Sequence, residues 1–299
     1  MSASALNEPI EGEFNIPDTV EYIEQDAFLG QNIDELTIDS NNLARIKEGA
    51  FHNNNLEEIH INAPNLHLQK DLFDGNDITT AYLNVEKIGD EAFRDYRTTT
   101  TGSIIEQGSL EDLTLGDSVE EIGEKAFYGN NITGELTLPH GIVLVDRHAF
   151  GSNSINGLDV EQGVETLGCY SFEDNNIAGT LELPQSIDCI GTYAFDGNKI
   201  EVLDIDTDNE NLDTIYHNAF RSNSLTEIHL NPVVDTIGER AFAFNGNVEK
   251  ITIGEDVTVG GDYANQEDSF ERGFDSYYRN ESNAGTHIYC TNNESWSLE

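Results

Sequence analysis

Three carboxylates stand at matching places along this chain: Asp159 in "LDV", Glu182 in "LEL" and Asp204 in "LDI", spaced 23 and 22 residues apart. Each lies between two apolar residues, a period-two pattern that reads as a short strand with one buried face, so the middle residue points outward. Equivalent triplets place Thr37, His60, Asn84, Thr114, Thr137, Asp159, Glu182, Asp204, His229 and Thr252 in the same outward role. If consecutive strands stack in parallel about 4.8 Å apart, the three carboxylates form one exposed line. Unit charges at that spacing repel by about 1 kcal/mol in water. A Lys- or Arg-bearing partner would relieve the repulsion, as would a cation. The remaining alternative is a well-hydrated acidic stripe. Asp159, Glu182, Asp204, His60, His229, Thr114 and Thr137 are the candidate binding residues.

Carboxylates in such a line could reach one Ca²⁺, but that ion wants six to eight oxygens and the sequence offers no cage. Weak Ca²⁺ binding is the most that follows; no cofactor and no dedicated metal site are expected. The stretch "DIDTDNENLD" from Asp204 to Asp213 lacks the central Gly of a calcium loop, and its twelfth position is Ile215 where Glu is needed. Catalysis finds no footing. There is no Gly-x-Ser-x-Gly elbow, phosphate loop or HExxH helix, and His60 and His229 stand far apart along any stack of strands.

The elements that must hold these residues repeat. A Phe-bearing corner recurs with Phe at 28, 51, 73, 93, 127, 150, 172, 195, 220 and 242, preceded by Ala in all but two, where Leu72 and Ser171 stand instead. Three places later stands Asn54, Asn76, Asn130, Asn153, Asn175, Asn198, Asn223 or Asn245, with Gln31 and Tyr96 substituting in two units. A second apolar pair, as in "VEEIG", "VETLG" and "VDTIG", leads into each corner. A unit of about 23 residues cannot bury its apolar side alone and must stack on its neighbours. The Phe is expected to form an interior column. The Asn is expected to turn its amide onto backbone groups of its own and adjacent coils.

The period breaks in "YRTTTTGSIIEQGS", which reads as a protruding loop, and slightly in "DTDNEN". The expected layout is an N-terminal extension over 1–13, a solenoid of about ten coils over 14–253, and a cap over 254–299. That cap should end in a hairpin of His287 to Cys290 against Trp296 to Leu298.

The 299 residues carry 57 acidic and 14 basic side chains, a formal charge of -43. Such a field disfavours nucleic acid and anionic membranes, and suits a cationic partner or a chain adapted to high salt. No apolar run of 18 residues offers a membrane span, and no secretion signal is visible at the start. Cys169, Cys189 and Cys290 are expected as free thiols.

The phrase "LPQSIDCIGTYAFDGNKIEVLDI" resembles the BspA-type, or Treponema-type, leucine-rich repeat, with its apolar-x-apolar-Pro strand, "V..IG" segment and "AF" corner. The resemblance covers about residues 14 to 253, and "AGTHIY" with the later Trp is similar to the closing segment of bacterial members. It implies a curved right-handed solenoid with a parallel β-sheet. It also implies a non-enzymatic binding role, secreted or at a cell surface, in adhesion. The expected ligand is a protein, peptide or glycan met by the exposed strand face, and the chain is expected to be a monomer. Asn where the family often has Cys after the Phe, and the acidity, are departures from its pattern.

Overall fold

The computed structural model describes residues 10–93, 97–98, 104–106, 108–206, 208–254, 257–259, 285–290 and 295–298. They form a β-solenoid of eleven coils with no helix. Each coil contributes one strand to a first face: Glu11–Ile16, Asn32–Asp39, Glu58–Leu68, Thr80–Ile88, Asp112–Leu115, Glu135–Leu138, Gly157–Val160, Ala178–Leu183, Lys199–Ile205, Glu227–His229 and Lys250–Ile253. Most neighbours pair in parallel, as in Leu36↔Ile59 and Leu203↔Ile228, but the ladder lapses between Asp112–Leu115 and Glu135–Leu138 and between Gly157–Val160 and Ala178–Leu183. The "V..IG" segment makes a second face of two-residue strands such as Thr166–Leu167 and Cys189–Ile190, also parallel. Its glycine is needed because the preceding coil passes directly beneath. A Cβ on Gly191 would lie 2.4 Å from the Cys169 nitrogen, and one on Gly238 would lie 2.7 Å from that of His217.

All ten recurring phenylalanines are buried, and consecutive rings stack at 5.1 to 5.9 Å within 21° of parallel. The corner bearing them has an alternating backbone. The residue two before each Phe is left-handed, with φ from 51° to 68°, and so is the residue two after it in the nine coils where that position is described. This alternation aims every second amide along the solenoid axis. His148, Phe150 and Ser152 thus donate to the carbonyls of Cys169, Ser171 and Glu173 in the next coil. Left-handed backbone costs a residue with a Cβ about 1–2 kcal/mol. The inter-coil ladder holds it in place.

The recurring Asn closes the same corner. Asn153 donates from Nδ2 to the carbonyl of its own Phe150 (3.0 Å) and to that of Phe127 one coil back (2.9 Å). Its Oδ1 accepts from the Ile132 amide at 3.1 Å. Asn54, Asn76, Asn175, Asn198, Asn223 and Asn245 repeat the three-way pattern. Gln31 reproduces part of it, accepting from the Ile10 amide.

Several expectations need correction. First-face strands number eleven: Glu11–Ile16, which overlaps the expected extension only at residues 11–13, already pairs with Asn32–Asp39, and Phe14 packs on Phe28 at 4.9 Å. In the fourth coil the triplet aligned with its neighbours is Ala81-Tyr82-Leu83. The register is His60↔Tyr82, whereas Asn84 pairs with Asn62. Ala81, Leu83 and Val85 are all buried, so period two fixes the face but leaves the register open by two residues. The inserted stretch contains an antiparallel pairing of Arg97–Thr98 with Ile104–Glu106; its other residues up to 107 lie outside those described. At the far end Gly285–Cys290 pairs antiparallel with both Lys250–Ile253 and Ser295–Leu298, a hairpin on the last coil.

Two substitutions test the corner by chemical denaturation. Phe150→Ala should cost about 3–5 kcal/mol through the cavity it leaves. Asn153→Ala should cost about 1–3 kcal/mol through buried carbonyls and an amide left unpaired. A neutral Asn153→Ala would mean the amide column carries no part of the stability.

Candidate functional site

The first face presents its outward residues in three paired blocks that follow one another along the solenoid, the ladder lapsing between Thr114 and Thr137 and between Asp159 and Glu182. Register pairs Thr37↔His60, His60↔Tyr82, Tyr82↔Thr114, Thr137↔Asp159, Glu182↔Asp204, Asp204↔His229 and His229↔Thr252 place nine of the ten predicted outward residues there, including all seven candidate binding residues, together with Tyr82. His60, Thr114, Thr137, Asp159, Glu182 and Asp204 are exposed, and Tyr82 and His229 are half-buried. Asn84 is displaced from the column and engaged elsewhere, donating to Asn62 Oδ1 and accepting from the Ser118 amide.

Tyr82 is the member that sequence reasoning missed. Its ring stacks on His60 with centroids 4.4 Å apart and planes within 10°. The signal was present in the length of the apolar alternation from Ala81 to Val85, which admits "AYL" as readily as "LNV". Beyond Tyr82 the short side chains Thr114 and Thr137 form a low floor that ends at the Asp159 carboxylate.

Asp159, Glu182 and Asp204 line an open groove of about 880 Å³ with Glu135, Glu161 and His140. Among the described residues no ion pair or side-chain hydrogen bond reaches Asp159, Glu182 or Asp204. His140 is drawn to the rim, with Nδ1 3.6 Å from Glu161 and its amide donating to that carboxylate. His229 is less available than His60, because Nε2 lies 3.3 Å from Glu227 and Nδ1 lies 3.4 Å from the Thr252 hydroxyl. His60 and His229, seven coils apart, are separated by about 34 Å at the usual strand spacing.

Among the described residues no three His, Cys, Asp or Glu side chains are grouped to hold a metal ion. "DIDTDNENLD" is a strand end followed by a turn. The buried Asn209 donates to the carbonyls of Pro184 and Ile187 and accepts from the Leu212 amide, so its side chain braces the loop. Cys169 and Cys189 are free, and burial pushes the Cys189 thiol up.

The decisive observation is the repeat itself. The model for the BspA type leucine rich repeat region matches residues 10–106, 101–209 and 145–271. The chain belongs to the BspA-type leucine-rich repeat family. Repeats of this family are typically non-enzymatic. No curated protein matches the chain. Among solved structures, the repeat protein is similar to a leucine-rich repeat protein from Bacteroides ovatus. The identity is 18 %, over 83 % of this chain and 86 % of that chain, with TM-score 0.43. It is also similar to the pneumococcal vaccine antigen PcpA, at 21 % identity over 83 % and 73 % with TM-score 0.45. A leucine rich cell surface protein from Faecalibacterium prausnitzii is similar at 19 % identity over 82 % and 74 %, with TM-score 0.34.

In this BspA-type solenoid, Glu182 has a carboxylate on both sides and so suffers the most repulsion. At low salt Glu182→Gln should raise the melting temperature by about 2 °C, since adjacent charges repel by about 1 kcal/mol and that energy moves a midpoint by a few degrees. Asp159→Asn and Asp204→Asn should raise it less. The gain should shrink in 0.5 M NaCl, and CaCl₂ at matched ionic strength should act no differently from NaCl. A Ca²⁺-specific rise that these substitutions abolish would instead reveal a calcium site.

Proposed function

We propose that this chain is a non-enzymatic binding module whose first face receives an extended basic peptide segment of a protein partner. The observation that carries the reading is the column itself: an aromatic ring at Tyr82, a low threonine floor, then three carboxylates that no cation among the described residues pairs with. Lys and Arg side chains suit both ends. They pair with carboxylates and gain about 0.5–1 kcal/mol over an exposed aromatic ring. From Tyr82 to Asp204 is five coils, about 24 Å. An extended peptide of about seven residues spans that length. Family membership supports a secreted or surface setting, and in this reading the chain acts there as a monomer.

The competing reading is a passive spacer whose acidity serves solubility in salt. A half-buried aromatic in line with a charged groove favours recognition, because a spacer gains nothing from it. Fluorescence anisotropy with labelled Lys- and Arg-rich decapeptides separates the two. Binding should be micromolar in 50 mM NaCl and weaken with salt. It should also weaken in the triple variant Asp159→Asn, Glu182→Gln, Asp204→Asn, and about threefold in Tyr82→Ala. Retained binding in the triple variant would place recognition elsewhere; no binding to basic peptides at all would leave the spacer or a glycan partner.

A further inference from the structure

On the corner opposite the strand face, the left-handed position two before each Phe carries Lys125, His148, Tyr170 and Tyr193 in four consecutive coils. The His148 ring stacks on Tyr170 at 4.6 Å and meets the edge of Tyr128 at 5.4 Å. Its Nδ1 is buried and has no hydrogen-bond partner. The nearest carboxylate oxygen, Oε2 of Glu173 in the next coil, lies 3.8 Å away, and the two side chains are only 15 % and 23 % exposed. A buried acceptor nitrogen and a half-buried acid therefore face each other across the seam between the sixth and seventh coils.

The surroundings disfavour charge on both. Burial, then the neighbouring Asp174 and Asp196, pushes Glu173 up to about 7. Burial, then Arg147 and Lys125, pushes His148 down to about 4, while Glu124 opposes. The other groups at this corner are Tyr128, Tyr170, and Arg221, which holds Asp196 at 3.1 Å.

We propose that His148 and Glu173 form a one-proton latch between these coils. After a small rotation the protonated Glu173 carboxyl hydrogen-bonds to His148 Nδ1 while keeping its proton, and the pair keeps the opening of the seam nearly independent of pH. In the closed seam the proton sits on the carboxyl beside a neutral imidazole. When the seam opens to water the same proton sits on the imidazole beside a carboxylate. The pair holds one proton in either state, so opening neither takes up nor releases one.

Each residue alone behaves differently. Glu173, raised from 4.5, contributes stability that is present below pH 4.5 and lost as pH rises toward 7. His148, lowered from 6.5, contributes stability that is present above pH 6.5 and lost as pH falls toward 4. Between pH 5 and 6.5 the two slopes cancel.

Hydrogen exchange at the His148, Phe150 and Ser152 amides, which donate across this seam, reads its opening once the intrinsic pH dependence is removed. From pH 5 to 7 the opening constant should change less than about threefold in the wild type. It should fall about tenfold or more in Glu173→Gln, and rise about tenfold or more in His148→Gln. The double variant should again be flat. Single variants that shift protection by one constant factor at every pH would overturn the latch. On the unmodified protein, ¹⁵N chemical shifts should show His148 neutral down to pH 5; titration near its ordinary 6.5 would overturn it independently of any variant.

Discussion

Each coil of this protein is a ring of about two dozen residues that has no interior of its own, and everything else depends on the contact that turns eleven such rings into one body. That contact is the corner where a phenylalanine, an asparagine and a left-handed backbone meet. The ring of Phe150 fills the space between two neighbours, and the amide of Asn153 ties the carbonyls of Phe127 and Phe150 together while satisfying the Ile132 amide. Hydrophobic burial and polar satisfaction are solved by residues three positions apart, so neither can drift in register without breaking the other. Such coupling makes stability a sum of nearest-neighbour terms along the stack.

This corner was legible in the sequence because both of its side chains are chemically demanding. A fully buried aromatic and a fully bonded amide tolerate few replacements, and they recur in nearly every unit. What escaped was imposed by backbone geometry or by permissive side chains. The left-handed positions carry Asp, Lys, His, Tyr, Asn and Arg as well as Gly, because the inter-coil amide ladder enforces φ whatever the residue. The register of the fourth coil escaped because Ala81, Leu83 and Val85 all satisfy the buried face. Phe14 escaped because it sits within the strand Glu11–Ile16 and not at an Ala-Phe corner.

Charge is distributed by coil. The second-face pairs Lys47–Glu24, Lys70–Glu91 and Lys87–Glu121 each join adjacent coils in the first half of the stack. All are well exposed at one or both partners, so each contributes about 0–1 kcal/mol. The second half has acidic columns on both faces. Asp159, Glu182 and Asp204 stand on the first, and exposed Glu165, Asp188, Asp213 and Asp235 stand in consecutive coils on the second. Parallel stacking without offset brings like side chains together, so a repeat that duplicates an acid also duplicates a repulsion. That cost falls where the groove is, which ties the electrostatics of the fold to those of the candidate site.

The same stacking rule separates positions free to change from positions that are not. Residues at the Phe, the Asn and the "IG" glycine face inward or toward the preceding backbone. Strand-centre residues and those flanking the corner face outward and differ from coil to coil. Phe244 shows how far that freedom extends. It occupies a left-handed position filled by Gly, Asn, Ser or Asp in the other described coils, at φ 60°, and remains 58 % exposed. The Arg221 guanidinium, itself held by Asp196, covers the ring at 4.7 Å. A bulky aromatic there gains no burial from the corner and still bears its backbone strain. The ladder is therefore strong enough to impose the conformation on any side chain, and the outward columns are left to take whatever residues a surface requires.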